Sequence, residues 1–100
     1  MIDTVKPKFS LGLVLASPAA LAVLKDAGKL PSEFLDRHAS GDWGELPDGD
    51  RQLNDEALRD GSRLLSAYVV HGGKKIWIIT EAADDQGQRE ATTILLPEEY

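Results

Sequence analysis

The chain has no cysteine, one methionine and only six aromatic residues in 100. Without thiols, neither a disulfide framework nor a thiolate metal site can be built, which suits a reducing compartment; a cytoplasmic location is expected. Cationic residues are also scarce. Eleven Lys and Arg face seventeen Asp and Glu, for a net charge of −6. Such a chain is repelled by phosphate backbones, so direct nucleic-acid binding is not expected. No phosphate loop, dinucleotide fingerprint or helical His pair occurs, and His38 and His71 fall on different elements. Neither a cofactor nor a metal is therefore expected.

A long uninterrupted apolar run is missing too. Phe9 to Leu24 comes nearest, but Ser17-Pro18 breaks it with a helix start, and it is too short to cross a bilayer. Lys6, Lys8 and Ala20-Leu21-Ala22 imitate parts of a cleaved signal. Asp3 and the Ser17-Pro18 break argue against one, and no membrane association is expected.

What is present suits one small domain. A chain of 100 residues with 42% hydrophobic and 28% charged side chains has room for a single core. Residues 1–8 read as a flexible leader, with Lys6-Pro7-Lys8 opposing regular structure, and residues 9–100 as one domain. Phe9 to Ala16 reads as a short extended segment that Gly12 weakens. Ser17 caps a helix starting at Pro18, whose fixed φ and missing N–H suit the first turn, and Gly28 ends it. Ser32 is a second cap candidate, for a helix through Ala39 with Phe34, Leu35 and His38 on its apolar side. Trp43, between Gly41 and Gly44, reads as a plug anchoring a turn onto the core. A third helix starts near Asp48 or Asp50 and ends at Gly61, with Leu53, Ala57 and Leu58 as its buried stripe and Asp55–Arg59 as an i,i+4 pair.

Two alternating runs follow, joined at Gly72-Gly73, and Ala91 to Leu96 alternates again before Pro97. Two glycines between such runs predict a two-residue hairpin, since a primed turn needs positive φ. With His71 opposite Lys74, the core face holds Leu65, Ala67 and Val69 beside Ile76, Ile78 and Thr80. Ser66, Tyr68, Trp77 and Glu81 then share the other face, with Tyr68 directly across from Trp77. The expected fold is α+β, with about three N-terminal helices packed on one face of a three- to four-stranded antiparallel meander.

Two functional readings compete. In the first, the chain is a non-catalytic interaction module. Tyr68, Trp77, Ser66 and Glu81 form an aromatic strand surface, and Asp42, Glu45, Asp48 and Asp50 begin an acidic stretch that continues to Asp55 and Glu56. Exposed Tyr and Trp anchor protein interfaces, and acidic clusters suit basic partners, including proteins whose grooves hold nucleic acid. A second copy of the chain is the other candidate partner. In the alternative reading, His38, Arg63 and Glu81 perform acid–base catalysis at one end of the sheet, joined by Arg89 and Thr93, in the layout of small endoribonucleases of the barnase and RelE type. An acidic chain is poorly suited to holding RNA, and an exposed Arg63–Glu81 ion pair explains those residues more simply.

One resemblance covers about two thirds of the chain. Its parts are Arg37-His38 with Gly41-Asp42-Trp43-Gly44, Asn54 with Ala57-Leu58, Gly61 with Arg63-Leu64-Leu65-Ser66 and Tyr68, Ile76 to Glu81, and Thr92 to Tyr100. This order resembles a family of small bacterial proteins labelled plasmid-related or hypothetical and carried on mobile elements. The resemblance implies a mobile-element setting, in which a host defence component such as a restriction or CRISPR complex with basic grooves is one candidate target of an acidic inhibitor. It implies no activity and no functional residue. The loop from Ala83 to Glu90 is longer here than in that pattern, which sets Arg89 farther from the strand.

Overall fold

The computed structural model describes residues 7–100, and the expected leader lies largely outside them. Strand β1 (Leu13–Ala16) leads into helices α1 (Pro18–Asp26), α2 (Pro31–Ala39) and α3 (Asp48–Asp60), followed by strands β2 (Leu64–Val69), β3 (Lys75–Thr80) and β4 (Ala91–Leu95). The fold is α+β. Among the described residues, no helix is long and apolar enough to cross a membrane.

The helix starts follow local chemistry. The Ser17 hydroxyl accepts from Ala20 N–H at 3.1 Å and donates to Glu99 at 2.7 Å, so one side chain caps α1 and ties it to the C-terminal turn. Helix α2 begins one residue before the expected cap: Pro31 takes the first helical position and Leu30 precedes it without a side-chain bond. Helix α3 buries Asn54 and Ala57, while Leu53 is 62% exposed. Its inward face is thus rotated by one position from the apolar stripe, because Asn54 has a partner inside. Asp55 accepts from Trp43 Nε1 at 3.0 Å, in place of the expected pair with Arg59.

The sheet order is β1-β4-β3-β2. Strands β2, β3 and β4 form an antiparallel meander, but β1 runs parallel to β4, with Leu13 beside Ala91 and Ala16 beside Ile94. The sheet is therefore mixed, which corrects the all-antiparallel expectation. Alternation along β1 does not encode the direction of its remote partner. Gly12 allows the approach: a Cβ there would lie 2.3 Å from the Arg89 carbonyl oxygen, so only glycine lets the chain enter beside β4.

The hairpin differs by one residue from the expected register. Val70 N–H donates to Lys74 C=O at 2.6 Å, so the connection is the three-residue turn His71–Gly73 rather than Gly72-Gly73 alone. Tyr68 consequently faces Ile76, and Trp77 faces Ala67. A slip of one residue sends a whole strand's side chains to the opposite face. Leu64, Ser66, Tyr68 and Val70, not Leu65, Ala67 and Val69, share the main core face with Ile76, Ile78 and Thr80, while Ala67 is buried on the opposite face.

The main core unites Ala20 and Leu24 of α1 and Phe34 of α2 with Tyr68, Val70, Ile76, Ile78 and Ile94 of the sheet. A smaller cluster joins Trp43, Ala57 of α3 and Leu64, so Trp43 is indeed the buried plug of its turn.

Candidate functional site

Two regions collect the chemically capable side chains, one sealed and one open. The sealed region centres on His38, which α2 delivers to the sheet face bearing Ser66 and Thr80 with no solvent exposure. Its Nδ1 lies 2.5 Å from Ser66 Oγ and its Nε2 lies 2.8 Å from Thr80 Oγ1. Thr80 Oγ1 lies 2.7 Å from Thr92 Oγ1, and Thr92 donates to the Leu11 carbonyl at 2.7 Å.

A hydroxyl has one proton to give, so this chain has a single direction. Thr92 spends its proton on Leu11, so it must accept from Thr80. Thr80 must then accept from Nε2–H of His38, leaving Nδ1 to accept from Ser66. His38 is thus the neutral Nε2–H tautomer. Burial, reinforced by the nearby Arg89 charge, pushes its pKa down to about 4. Phe9 and Trp43 set their rings against the imidazole, with centroids at 5.2 and 5.8 Å.

Arg89 closes the adjoining end. Its guanidinium donates to the carbonyls of Ser62 (2.7 Å), Glu81 (3.0 Å) and Ala57 (3.1 Å), joining the end of α3 to the start of β2 and the end of β3. It meets the Glu81 carbonyl; the Glu81 side chain is exposed. Arg63 is exposed and sets its guanidinium 5.3 Å from the Tyr100 ring. Alternation from Leu64 and Thr80 puts Arg63 and Glu81 on the sheet face opposite His38. The structure therefore does not bring His38, Arg63 and Glu81 together, and the ring that would act as base is closed to solvent.

The second region is the other sheet face with its rim; it is open only in part, since Ala67 and Ile79 are buried on it. Trp77 is half-buried there, with the Tyr100 ring 5.5 Å away edge-on. Ser66 and Tyr68, expected on this face, are instead fully inside: Ser66 holds His38, and Tyr68 donates to the Asp42 carbonyl at 2.6 Å. Their removal corrects the expected aromatic surface. Polar groups with internal partners turned this strand face inward. Burial also raises the Tyr68 hydroxyl well above its ordinary pKa.

Asp42, Glu45, Asp48, Asp50, Asp55 and Glu56 are all exposed, with Arg51 the only cation between the first and the last. They are not equally free. Arg37 Nε lies 2.7 Å from the Asp42 carboxylate and holds its pKa below the usual range, and Asp42 also caps Gly44 N–H. Asp48 and Asp50 stand in the first turn of α3, where negative charge favours the helix.

Sequence reasoning missed Asn54, whose side-chain amide bonds both main-chain groups of Leu65 (2.7 and 3.1 Å) and closes the outer edge of β2. Its position beside Ala57 on a helical face was the available signal. Among the described residues, no group of three or more His, Asp or Glu could hold a metal ion. No protein-family model, curated protein or solved structure matches the chain.

Proposed function

We propose that this chain is a non-catalytic protein-interaction module whose acidic segment binds a basic protein surface. The observation that carries the reading is the row of six exposed carboxylates from Asp42 to Glu56 with a single intervening arginine. Within it, Glu45, Asp48 and Asp50 make no hydrogen bond to another side chain among the described residues, so their charge faces solvent. Such a surface imitates phosphate charge and suits a groove that ordinarily holds nucleic acid. Trp77 with Tyr100 supplies an aromatic anchor on the open sheet face. The resemblance to mobile-element proteins supports a host restriction or CRISPR complex as the target, met in the cytoplasm.

The sealing of His38, and its separation from Arg63 and Glu81 by the thickness of the sheet, support interaction over catalysis. The test has two arms. Mixed RNA incubated with the wild type and with Arg63→Ala is expected to stay intact with both; cleavage by the wild type alone would favour the enzyme. Affinity capture from a host lysate is expected to retrieve a nucleic-acid-binding complex with the wild type and less of it with Trp77→Ala.

A further inference from the structure

The two edges of the sheet are treated differently. At the β2 edge, Asn54 bonds Leu65, while Ala67 N–H donates to the Trp43 carbonyl (3.1 Å) and its C=O accepts from Glu45 N–H (2.6 Å). That edge is covered at Leu65 and Ala67. At the other edge, Leu13 and Ser17 donate inward to Glu90 and Ile94 of the β4 side (2.9 Å each), and Leu15 follows by the alternation of a parallel ladder. Val14 and Ala16 therefore turn their N–H and C=O groups outward, and no described residue pairs with them.

This open edge is short, but it lacks the other usual protections. From Phe9 to Leu24 there is no charged residue, although the whole chain carries 28. Lysine, proline and bulges are what normally keep an exposed strand from pairing, and β1 has none of them. Leu13, Val14 and Leu15 are 64%, 43% and 46% exposed. Leu13 and Leu15 project on the open sheet face, and Val14 on the other.

We propose that the outer edge of β1 docks β1 of a second copy of this chain, antiparallel about a two-fold axis, continuing the sheet from four strands to eight. Charge distribution selects this occupant. The strand itself carries no charge, with Glu90 beside Leu13 and Glu99 on Ser17 at its two ends, whereas the six-carboxylate acidic segment sits at the β2 edge, three strand spacings or about 14 Å away. Joining two copies at β1 places their acidic edges about 34 Å apart, several Debye lengths at physiological salt, so the densest negative charge of the two chains is kept apart. The pairing is self-complementary, as a two-fold contact requires. With only four residues per strand the interface falls in the small, weak class.

The inference deepens the interaction reading by making the module bivalent, one acidic edge at each end of the long sheet. Its test uses the protein alone, so its failure leaves partner binding by the acidic segment standing. Sedimentation velocity from roughly 5 to 500 μM, the range suited to a small interface, is expected to show mass rising from the 10.9 kDa monomer toward twice that value. The dissociation constant is expected to change less than about twofold between roughly 0.05 and 0.5 M salt. Val14→Lys is expected to stay monomeric with wild-type circular dichroism. In the wild type, amide exchange at Val14 and Ala16 is expected to slow as concentration rises, a readout that does not depend on any variant folding. A wild type that stays monomeric throughout, a Val14→Lys protein that associates equally well, or exchange at those two amides independent of concentration would each overturn the proposal.

Discussion

Ser66 Oγ stands 2.5 Å from Nδ1 of His38, and both residues are wholly inside the protein. On a surface this pairing would be a nucleophile and its base. Here the imidazole's second nitrogen is engaged by Thr80, and the relay ends on the Leu11 carbonyl, so every group is committed to holding α2, the sheet and the segment before β1 in place. Satisfied buried polar networks fix a unique core, whereas breaking them is costly.

The proton order of that relay has a spectroscopic consequence. Long-range 1H–15N correlation of the His38 ring is expected to show a protonated Nε2 and a bare Nδ1 at neutral pH. The opposite tautomer would mean that Thr92 does not donate to Leu11.

Stability follows the same ring with pH. The folded-state pKa of about 4 lies below the ordinary 6.5 because burial disfavours the charged form. Above pH 6.5 the ring is neutral in both states and its contribution is complete. Between 6.5 and 4 the unfolded chain takes up the proton first, and stability falls by about 3 kcal/mol. Denaturant titrations across this window are expected to flatten in His38→Gln, which is less stable at neutral pH but lacks the titration.

Asn54 stands in for a missing strand beside Leu65. Asn54→Ala leaves one N–H and one C=O without that partner, and a loss of about 1–3 kcal/mol is expected by urea denaturation. Asn54→Asp keeps the acceptor but not the donor and is expected to fall between.

Glycine substitutions separate crowding from conformation. At Gly44 a Cβ would sit 2.0 Å from the Ala67 carbonyl oxygen and 2.7 Å from the Tyr68 ring, against backbone that cannot yield. At Gly72 nothing lies within 4 Å, although φ is +74°. Gly72→Ala is expected to cost the left-handed penalty alone, about 1–2 kcal/mol. Gly44→Ala is expected to cost clearly more, with the Gly44–Ala67 bridge lost.

Arg89 is held by three carbonyls that diverge from one another, a task suited to a planar fork rather than a point charge. Arg89→Lys is expected to lose about as much stability as Arg89→Ala, of order 2–3 kcal/mol. Full rescue by lysine in thermal unfolding would show that charge, not geometry, matters there.

Much of this fold could be read from local signals. The Ser17-Pro18 start of α1, the Gly61 end of α3 and the inward set Ile76, Ile78 and Thr80 all follow from capping and alternation. The orientation of β2 could not be read that way. Hydropathy favours Leu65, Ala67 and Val69 inside, yet Ser66 and Tyr68 have polar partners in the interior at His38 and Asp42. Those partners lie 28 and 26 residues away, and no pattern within the strand announces them. The parallel direction of β1 is equally non-local, set by its contact with β4 nearly eighty residues later. The acidic segment was legible because exposure of charge needs no partner.

The acidic segment itself is tested most directly by titrating the captured partner with the wild type and with Glu45→Gln/Asp48→Asn/Asp50→Asn over a range of salt concentrations. Binding is expected to weaken steeply as salt rises, and the neutralised protein is expected to bind at least about tenfold more weakly at low salt with a shallower salt slope. Affinity indifferent both to ionic strength and to the loss of those three charges would contradict the account.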